Sequence, residues 1–218
     1  MSYQWDFGLV WHYAPLLGTG IEYTLGLTVV TSVIGMVIGT CLALCQQSRM
    51  WFISVPLGMV SEVFRCTPSL VQLIWCYYAL PIVLGITLSP MAAALLALSI
   101  YGGVFYGEIF RAGLRSIDPG QWDGARALGM TSWTMMRRVI LPQVLRRMVG
   151  PMVSQTVLQL KNTSLVSVVT VPDLVYQGQM VASATYRPLE VYTTIAILYF
   201  LILFPLTQLS RLLERRWA

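Results

Sequence analysis

The chain has 218 residues, of which 56% are hydrophobic and 11% are charged, with a mean hydropathy of +0.69 and a formal charge of +5. The apolar fraction exceeds the roughly 45–50% of soluble domains, and the charged fraction is about half the usual 25%. A soluble domain of this length cannot hide so much apolar surface, so the composition excludes one and indicates a membrane protein. The arginines flank apolar runs, which favours a membrane surface over nucleic acid as the reason for the basic balance.

The first 20 residues differ from the rest of the chain. They contain Trp5, Asp6, Trp11 and Pro15 but no lysine or arginine. A signal peptide needs a basic start followed by a short apolar core. Residues 1–20 are therefore predicted to form a periplasmic, interfacial segment that leads into the membrane.

Five apolar stretches follow, each close to the about 20 residues that a helix needs to cross the hydrocarbon core. They lie near Ile21–Gln46, Phe52–Leu80, Pro90–Phe110, Val149–Val171 and Val191–Leu209. The second stretch is interrupted by Arg65 and Pro68. In the first, Gly35 and Gly39 form a small-residue pair that predicts close helix packing within the chain. The predicted fold class is an all-α membrane protein with five transmembrane helices.

The basic residues orient these spans. Of the 14 lysines and arginines, eleven fall on one side of a five-span arrangement, Arg187 alone falls on the other, and Arg65 and Lys161 lie inside spans. Cytoplasmic loops of membrane proteins are enriched in lysine and arginine. The N-terminus is thus predicted outside and the C-terminus in the cytoplasm. Residues 21–218 form one transmembrane domain in this interpretation, with 112–147 as a cytoplasmic loop.

The cytoplasmic loop carries the capping signals of two short helices. Asp118 followed by Pro119 predicts a helix start, with Gln121 placed for a capping box. Gly129 predicts the end of this first helix, and Thr131 or Ser132 starts a second helix that stops at Pro142. Four free cysteines lie in apolar stretches without the histidines of a metal site, and we expect buried thiols.

The first helix of the loop is slim and mixed in character. Ala125 and Gly129 lie four residues apart and predict a slim helix that can approach another backbone or enter a groove, while Trp122 and Leu128 provide an apolar anchor. Asp123 and Arg126 supply charge. Two interpretations remain open from these residues alone, because helix patterning does not name a partner. The helix rests on the bilayer or on the protein's own spans, or it docks into another protein.

The stretch "DGARALGMTSWTMMRRVILP" resembles the EAA loop of binding-protein-dependent ABC importer permeases. That signature has EAA, three residues, Gly, nine residues and I-x-L-P. The spacing matches, with Asp for Glu, Gly124 for Ala and Val139 for Ile. Three further segments, "FRCTPSLVQLIWCYYALP", "GEIFRAGLRSIDPGQWDGARALGM" and "LKNTSLVSVVTVPDLVYQGQ", resemble the polar amino-acid branch with histidine-, glutamine- or glutamate-type substrates.

The resemblance implies a type I importer permease in the bacterial inner membrane. It implies as partners a dimer of ATP-binding subunits, a second permease chain (identical or paralogous), an extracytoplasmic substrate-binding protein and membrane lipid, with no nucleic acid. This chain lacks G-x-x-x-x-G-K-[ST], so it cannot supply the ATP site itself. The resemblance implies that the chain binds no cofactor and that the partner ATPase holds ATP and Mg. In the family the loop helix docks on that ATPase. The residues that match it here are Gln121, Trp122, Asp123, Gly124, Ala125, Arg126, Ala127, Leu128 and Gly129.

Charges inside predicted spans need a reason, because a central charge costs at least about 2.5 kcal/mol on insertion scales. Pairing within one helix explains Glu62 with Arg65 and Glu108 with Arg111. A translocation path for a zwitterion is the alternative for Arg65 and the favoured interpretation for Lys161 and its polar neighbours. The predicted path residues are Arg65, Thr67, Gln72, Lys161, Asn162, Thr163 and Ser164.

The sequence therefore predicts a transport subunit and not an enzyme. Its function would be to move a polar amino acid across the membrane by alternating access, driven by the partner ATPase. The alternative is an ion- or proton-coupled secondary transporter that uses the intramembrane charges. An intramembrane hydrolase is disfavoured, because no Ser–His or paired-Asp membrane motif is present.

Overall fold

The computed structural model describes residues 3–48 and 50–217, with side chains through residue 213. Arg49, one of the basic residues used to orient the spans, lies outside the described residues. Within the described ranges the chain is helical and contains no strand. The α-helices are α1 Phe7–His12, α2 Ala14–Gln46, α3 Trp51–Cys66, α4 Ser69–Ile74, α5 Leu80–Leu84, α6 Pro90–Arg115, α7 Pro119–Ala127, α8 Ser132–Met135, α9 Leu141–Thr163, α10 Leu174–Thr185 and α11 Pro188–Trp217. Two π-helical turns, Trp75–Ala79 and Met136–Ile140, and a 3₁₀ segment, Ser164–Val169, join some of them.

Three helices among the described residues are long and apolar enough to cross a membrane, namely α2, α6 and the Pro188–Leu213 part of α11. The count rises to four if the bent pair Trp51–Cys66 and Ser69–Leu84 forms one span. The fourth predicted span corresponds to α9, which has 23 residues but is too polar to pass the same test. The predicted five spans are thus supported in part.

The second predicted span bends next to Pro68, one of the two residues that the sequence predicts to interrupt it. The two halves meet at an angle of 108°, and Thr67 is extended because a residue before proline avoids the helical region. The side chain of Gln72 bonds to the carbonyls that the break leaves free, since its Nε2 donates to the carbonyls of Phe64 at 2.7 Å and Thr67 at 2.9 Å. These carbonyls would otherwise lack partners at the end of α3.

The centre of the fold is the crossing of α2 over α6. Gly35 packs against the backbone of Gly102 and Gly103, and a Cβ built on Gly39 would lie 2.5 Å from Gly103 O and from Gly107 N. The two helices therefore touch through their backbones, which confirms the small-residue packing predicted within the chain. Buried Gln159 of α9 ties this crossing together by donating to Thr31 Oγ1 at 3.0 Å and Leu98 O at 2.8 Å.

The four cysteines are free thiols, as the sequence predicts, but their predicted burial is wrong for three of them. Cys76 is buried, whereas Cys41, Cys45 and Cys66 are exposed on the chain's surface. An apolar stretch does not specify which side chains of a helix face the interior of the same chain, because lipid or a partner can also cover them.

Candidate functional site

The first loop helix begins and ends as its capping residues predict. Asp118 Oδ1 accepts from Gly120 N at 2.6 Å, and Pro119 occupies the first turn of α7. At the other end Gly129 has a φ of 69°. Gly129 N donates to Arg126 O at 2.9 Å and Met130 N to Ala125 O at 3.1 Å, which is a Schellman motif. The helix is a closed unit with both ends satisfied.

The predicted capping-box contact of Gln121 is wrong. Gln121 Oε1 instead accepts from Gln143 Nε2 at 3.1 Å, and Gln143 also donates to Val139 O at 2.8 Å. Gln143 belongs to α9, so this side-chain bond links the loop helix directly to a long helix of the membrane domain. Sequence spacing could not find it, because the two residues are neighbours only in the folded chain.

The second loop helix does not stop at Pro142 as predicted. Thr131 caps α8 by accepting from Thr134 N at 3.3 Å, and α8 continues through the π-helical turn Met136–Ile140 into α9. Leu141 N bonds to Met136 O, one residue further back than in an α-helix. This wider turn accommodates a proline that cannot donate and that crowds the preceding turn. The turn Trp75–Ala79 precedes Pro81 in the same way.

The inner face of α7 is formed by residues that the sequence assigned to a partner. Ala125 is 4% exposed and packs with Leu114, Ile117, Met135 and Ile140 of the same chain. Trp122 is half-buried against this cluster. The small Ala125 side chain lets α7 lie close to its own domain, which is one of the two interpretations that the sequence left open.

The outer face of α7 is free in this chain. Gly124 and Ala127 are exposed, and Leu128 is 77% exposed. A Cβ added to Gly124 would meet nothing within 4 Å. Asp123 and Arg126 form an exposed ion pair of 3.1 Å beside this face. Two small exposed residues beside an exposed leucine make a surface suited to docking by another protein.

The predicted path residues near the bend lie together. Thr67 and Gln72 line a largely apolar cavity of about 370 Å³ with Phe64, Trp75 and Leu96. Gln72 is buried, and its donor group holds the broken end of α3. The amide oxygen Oε1 of Gln72 has no hydrogen-bond partner among the described residues. That oxygen is buried in this structure, so a substrate would reach it only after the surrounding side chains move.

The second predicted group lies at the end of α9 and not in the middle of a continuous helix. Thr163 is fully buried and its hydroxyl donates to Leu160 O at 2.7 Å. Ser164 begins the 3₁₀ segment and donates to Lys161 O at 2.7 Å. Asn162 is half-buried, with Nδ2 unpaired in the described structure. Lys161 is exposed and lines a different cavity from Thr67 and Gln72.

Arg65 belongs to a network of charges that the sequence anticipated in part. The predicted pairs Glu62–Arg65 and Glu108–Arg111 both form. Arg65 also reaches Glu108 at 3.0 Å, which joins α3 to α6. Arg111 donates to Gln46 Oε1 at 2.8 Å and so adds the end of α2. Gln46 was missed, because a lone amide at a helix end carries no signal.

Glu108→Gln is expected to lower the melting temperature of the purified protein, since Arg65 and Arg111 both lose a charged acceptor. The loss should be about 1 kcal/mol, at the lower end for a charged hydrogen-bonding group because the carboxylate is 37% exposed. The control is Glu22→Gln, because Glu22 is an exposed carboxylate with no ion pair among the described residues. Equal melting temperatures for the two variants would contradict the bridging role.

Comparisons with known proteins agree with the architecture. The family model "Binding-protein-dependent transport system inner membrane component" matches residues 14–218. The glutamine transport system permease protein GlnP of Escherichia coli (strain K12) is 35% identical over 98% of this chain and 98% of its own. The histidine/lysine/arginine/ornithine transport system permease protein HisM of Salmonella typhimurium (strain LT2) is 36% identical over 91% of this chain and 88% of its own.

A solved structure described as an amino acid ABC transporter with histidines has a TM-score of 0.92 and 36% identity, over 98% of this chain and all of that chain. The resemblance inferred from the loop and its flanking segments is confirmed, as are a transport role in place of an enzymatic one and a location in the bacterial inner membrane. The chain belongs to the family of inner-membrane components of binding-protein-dependent transport systems.

Proposed function

We propose that this chain is the permease subunit of an ATP-driven importer that moves a polar amino acid into the cytoplasm by alternating access. The named cargoes of its relatives, glutamine for one and histidine, lysine, arginine and ornithine for another, support this substrate class. The complex would contain two ATP-binding subunits that hold ATP and Mg, a second permease chain and an external substrate-binding protein. The family's dependence on a binding protein disfavours the alternative of an ion-coupled transporter.

The proposed topology has five spans, with residues 1–20 at the outer interface and 112–147 in the cytoplasm. The bent α3–α5 unit and α9 provide the two spans beyond the three clearly apolar ones. The exposed positions of α9 include Ser154, Leu158 and Lys161, which recur at helical spacing on one side. A side bearing a serine and a lysine is poorly suited to lipid. Ser154 on this side already bonds to Ser210 of α11, so its Lys161 end is the part that would face the path.

The observation that carries the proposal is the attachment of α7. Its inner face is buried in the domain through Ala125, its Gln121 is bonded to Gln143 of α9, and its outer face is free. A helix held this way passes a displacement of its outer face to α9, because α8, the π-helical turn and α9 are continuous. The free outer face is where the ATPase would bind, and differential binding to two ATPase states would drive the spans.

The transport path would run beside the bend and the end of α9. Thr67 lines the cavity at the bend and Lys161 lines a separate cavity at α9, while Gln72 Oε1 and Asn162 Nδ2 are buried here and would reach the path only in another state of the cycle. Arg65 and buried Thr163 would join them in another state of the cycle, since Arg65 is ion-paired and Thr163 is enclosed in the present one.

The test is uptake by the reconstituted complex. This chain is purified with its ATPase, its second permease chain and its binding protein, and is placed in liposomes with a panel of radiolabelled amino acids. Uptake of a polar amino acid is expected only when ATP and Mg are enclosed inside the liposomes. Uptake driven by a proton gradient in the absence of ATP would overturn the proposal in favour of the secondary transporter.

A further inference from the structure

A tyrosine between α10 and α11 holds a backbone conformation that tyrosine normally avoids. Tyr186 has a φ of 55°, and apart from glycines only Thr170 shares a positive φ among the described residues. Glycine is the usual residue where a helix ends in this left-handed conformation. The cap bond, from Tyr186 N to Ala182 O at 2.9 Å, uses only the backbone. Glycine would make the same bond without strain, so the tyrosine side chain needs a separate reason.

Packing inside the chain does not supply that reason. The Tyr186 side chain is 89% exposed. Its ring contacts no other ring, and its hydroxyl forms no hydrogen bond, within the described part of the chain. Backbone strain is found most often at functional sites, where the surrounding structure maintains it. A strained and uncovered aromatic side chain therefore indicates a contact with another molecule.

The turn that carries Tyr186 is held by buried Glu190 of α11. Arg187 Nη1 donates to Glu190 Oε1 at 3.2 Å and to Gln4 O at 2.8 Å. The guanidinium carbon of Arg187 also lies 5.8 Å from the centre of the Tyr3 ring. Glu190 is fully buried and accepts from the Tyr3 hydroxyl at 2.5 Å. The backbone next to Tyr186 is thus fixed before any partner binds.

These bonds also locate the turn. Arg187 and Glu190 bind the N-terminal segment, which the proposed topology places at the outer interface. The loop helix α7 lies beside the opposite end of α9, whose 23 residues extend about 35 Å. An ATPase docked on α7 therefore does not cover Tyr186. On the outer side the proposed complex has one soluble partner, the substrate-binding protein on which the family depends.

Tyrosine and arginine are enriched among the few residues that carry most of the binding energy at protein interfaces. A rigid backbone reduces the entropy lost on binding. The headgroup layer of a bilayer accepts aromatic rings at many positions and gives no reason for a strained one. We propose that Tyr186, on its fixed turn with Arg187, is the central docking residue for the external substrate-binding protein, an inference that rests on the function proposed above.

The test is the dissociation constant of the amino-acid-loaded binding protein for the complete complex, measured in lipid nanodiscs and in neutral detergent. Tyr186→Gly removes the ring and the strain together. We expect its dissociation constant to rise at least about 10-fold, while the melting temperature of the complex stays the same or rises. Tyr186→Asn should give the same result, because asparagine tolerates the left-handed conformation without adding the flexibility of glycine. Tyr186→Phe should retain most of the affinity, since the ring remains.

Tyr192→Ala is the matched control, because Tyr192 is 46% exposed on the helical part of α11. Its dissociation constant should equal that of the unmodified complex. Unchanged binding by Tyr186→Gly and Tyr186→Asn, or an equal loss in Tyr192→Ala, would overturn the docking role. Unchanged binding with a lower melting temperature in nanodiscs alone would assign the Tyr186 ring to the membrane and overturn it as well.

ATP-driven uptake by the unmodified complex separates this inference from the proposed function. Normal uptake together with normal binding by the Tyr186 variants would refute the docking residue and leave the importer in place. An unmodified complex that neither imports an amino acid nor binds the binding protein would overturn the proposed function, and the docking role with it.

Discussion

Leu128→Glu is expected to abolish recovery of the ATPase with this chain while leaving the chain folded in the membrane. Leu128 is 77% exposed at the end of α7, so the folded chain alone loses little when it is replaced. In a docked complex the leucine would be covered, and burying it is worth about 1.5–3 kcal/mol. An unpaired glutamate in its place adds a desolvation penalty, so we expect affinity to fall by at least about 100-fold.

The measurement is co-purification of the ATPase with affinity-tagged chain, together with the melting temperature of the chain itself. Leu128→Met is the matched control and should retain the ATPase, because it conserves apolar volume. Gly124→Ala should retain or improve it, since its Cβ enters open space and alanine favours the helix by about 1 kcal/mol. Normal ATPase recovery with Leu128→Glu would contradict docking through this face.

Substitutions at Ala125 or Gly129 do not distinguish lost docking from a damaged loop, although both residues belong to the predicted docking helix. Ala125 is buried against the chain's own loop cluster. Gly129 has a φ of 69°, which L side chains adopt only with strain. A large residue at either position would disturb the loop before it reached a partner, so a loss of ATPase there would have two explanations.

The sequence predicts the ends of α7 but not which of its faces points outwards. The ends of α7 were predictable because Asp118, Pro119 and Gly129 act through bonds to residues a few positions away. The face that Ala125 occupies was not predictable, since inner and outer faces are set by α6 and α9, which the local pattern does not contain. The EAA-like spacing identified the family, but spacing carries no information on which positions point outwards.

Prolines and polar residues are a second case in which the local sequence does not determine the structure. Pro68 breaks the helix as predicted, whereas Pro142 is passed by a π-helical turn. A local rule cannot choose between these outcomes, because the packing of α9 against the domain decides whether the widened turn is stable. Gln72 and Thr163 likewise carry polarity that suggests a path, and the structure shows that each bonds to nearby backbone carbonyls.

Gly39→Leu is expected to prevent the chain from folding. A Cβ at this position would lie 2.5 Å from Gly103 O and Gly107 N, and both contacts are to the backbone of α6. A flexible side chain could move aside, but here the two helices would have to separate along their main crossing. Overpacking in a core usually costs about 1–3 kcal/mol, and a forced separation of backbones belongs at or above the upper limit. Even Gly39→Ala should reduce the yield of folded protein sharply.

The measurement is the yield of monodisperse protein after detergent extraction, followed by its melting temperature. Gly26→Ala is the matched control, because Gly26 lies on the same helix and a Cβ there meets nothing within 4 Å. It should give normal yield, and removing a helix glycine adds about 0.5–1 kcal/mol of stability. The Gly39 variants report on the backbone contact and not on helix propensity, since alanine improves propensity at both positions. Equal yields for Gly39→Ala and Gly26→Ala would mean that α2 and α6 do not meet through their backbones.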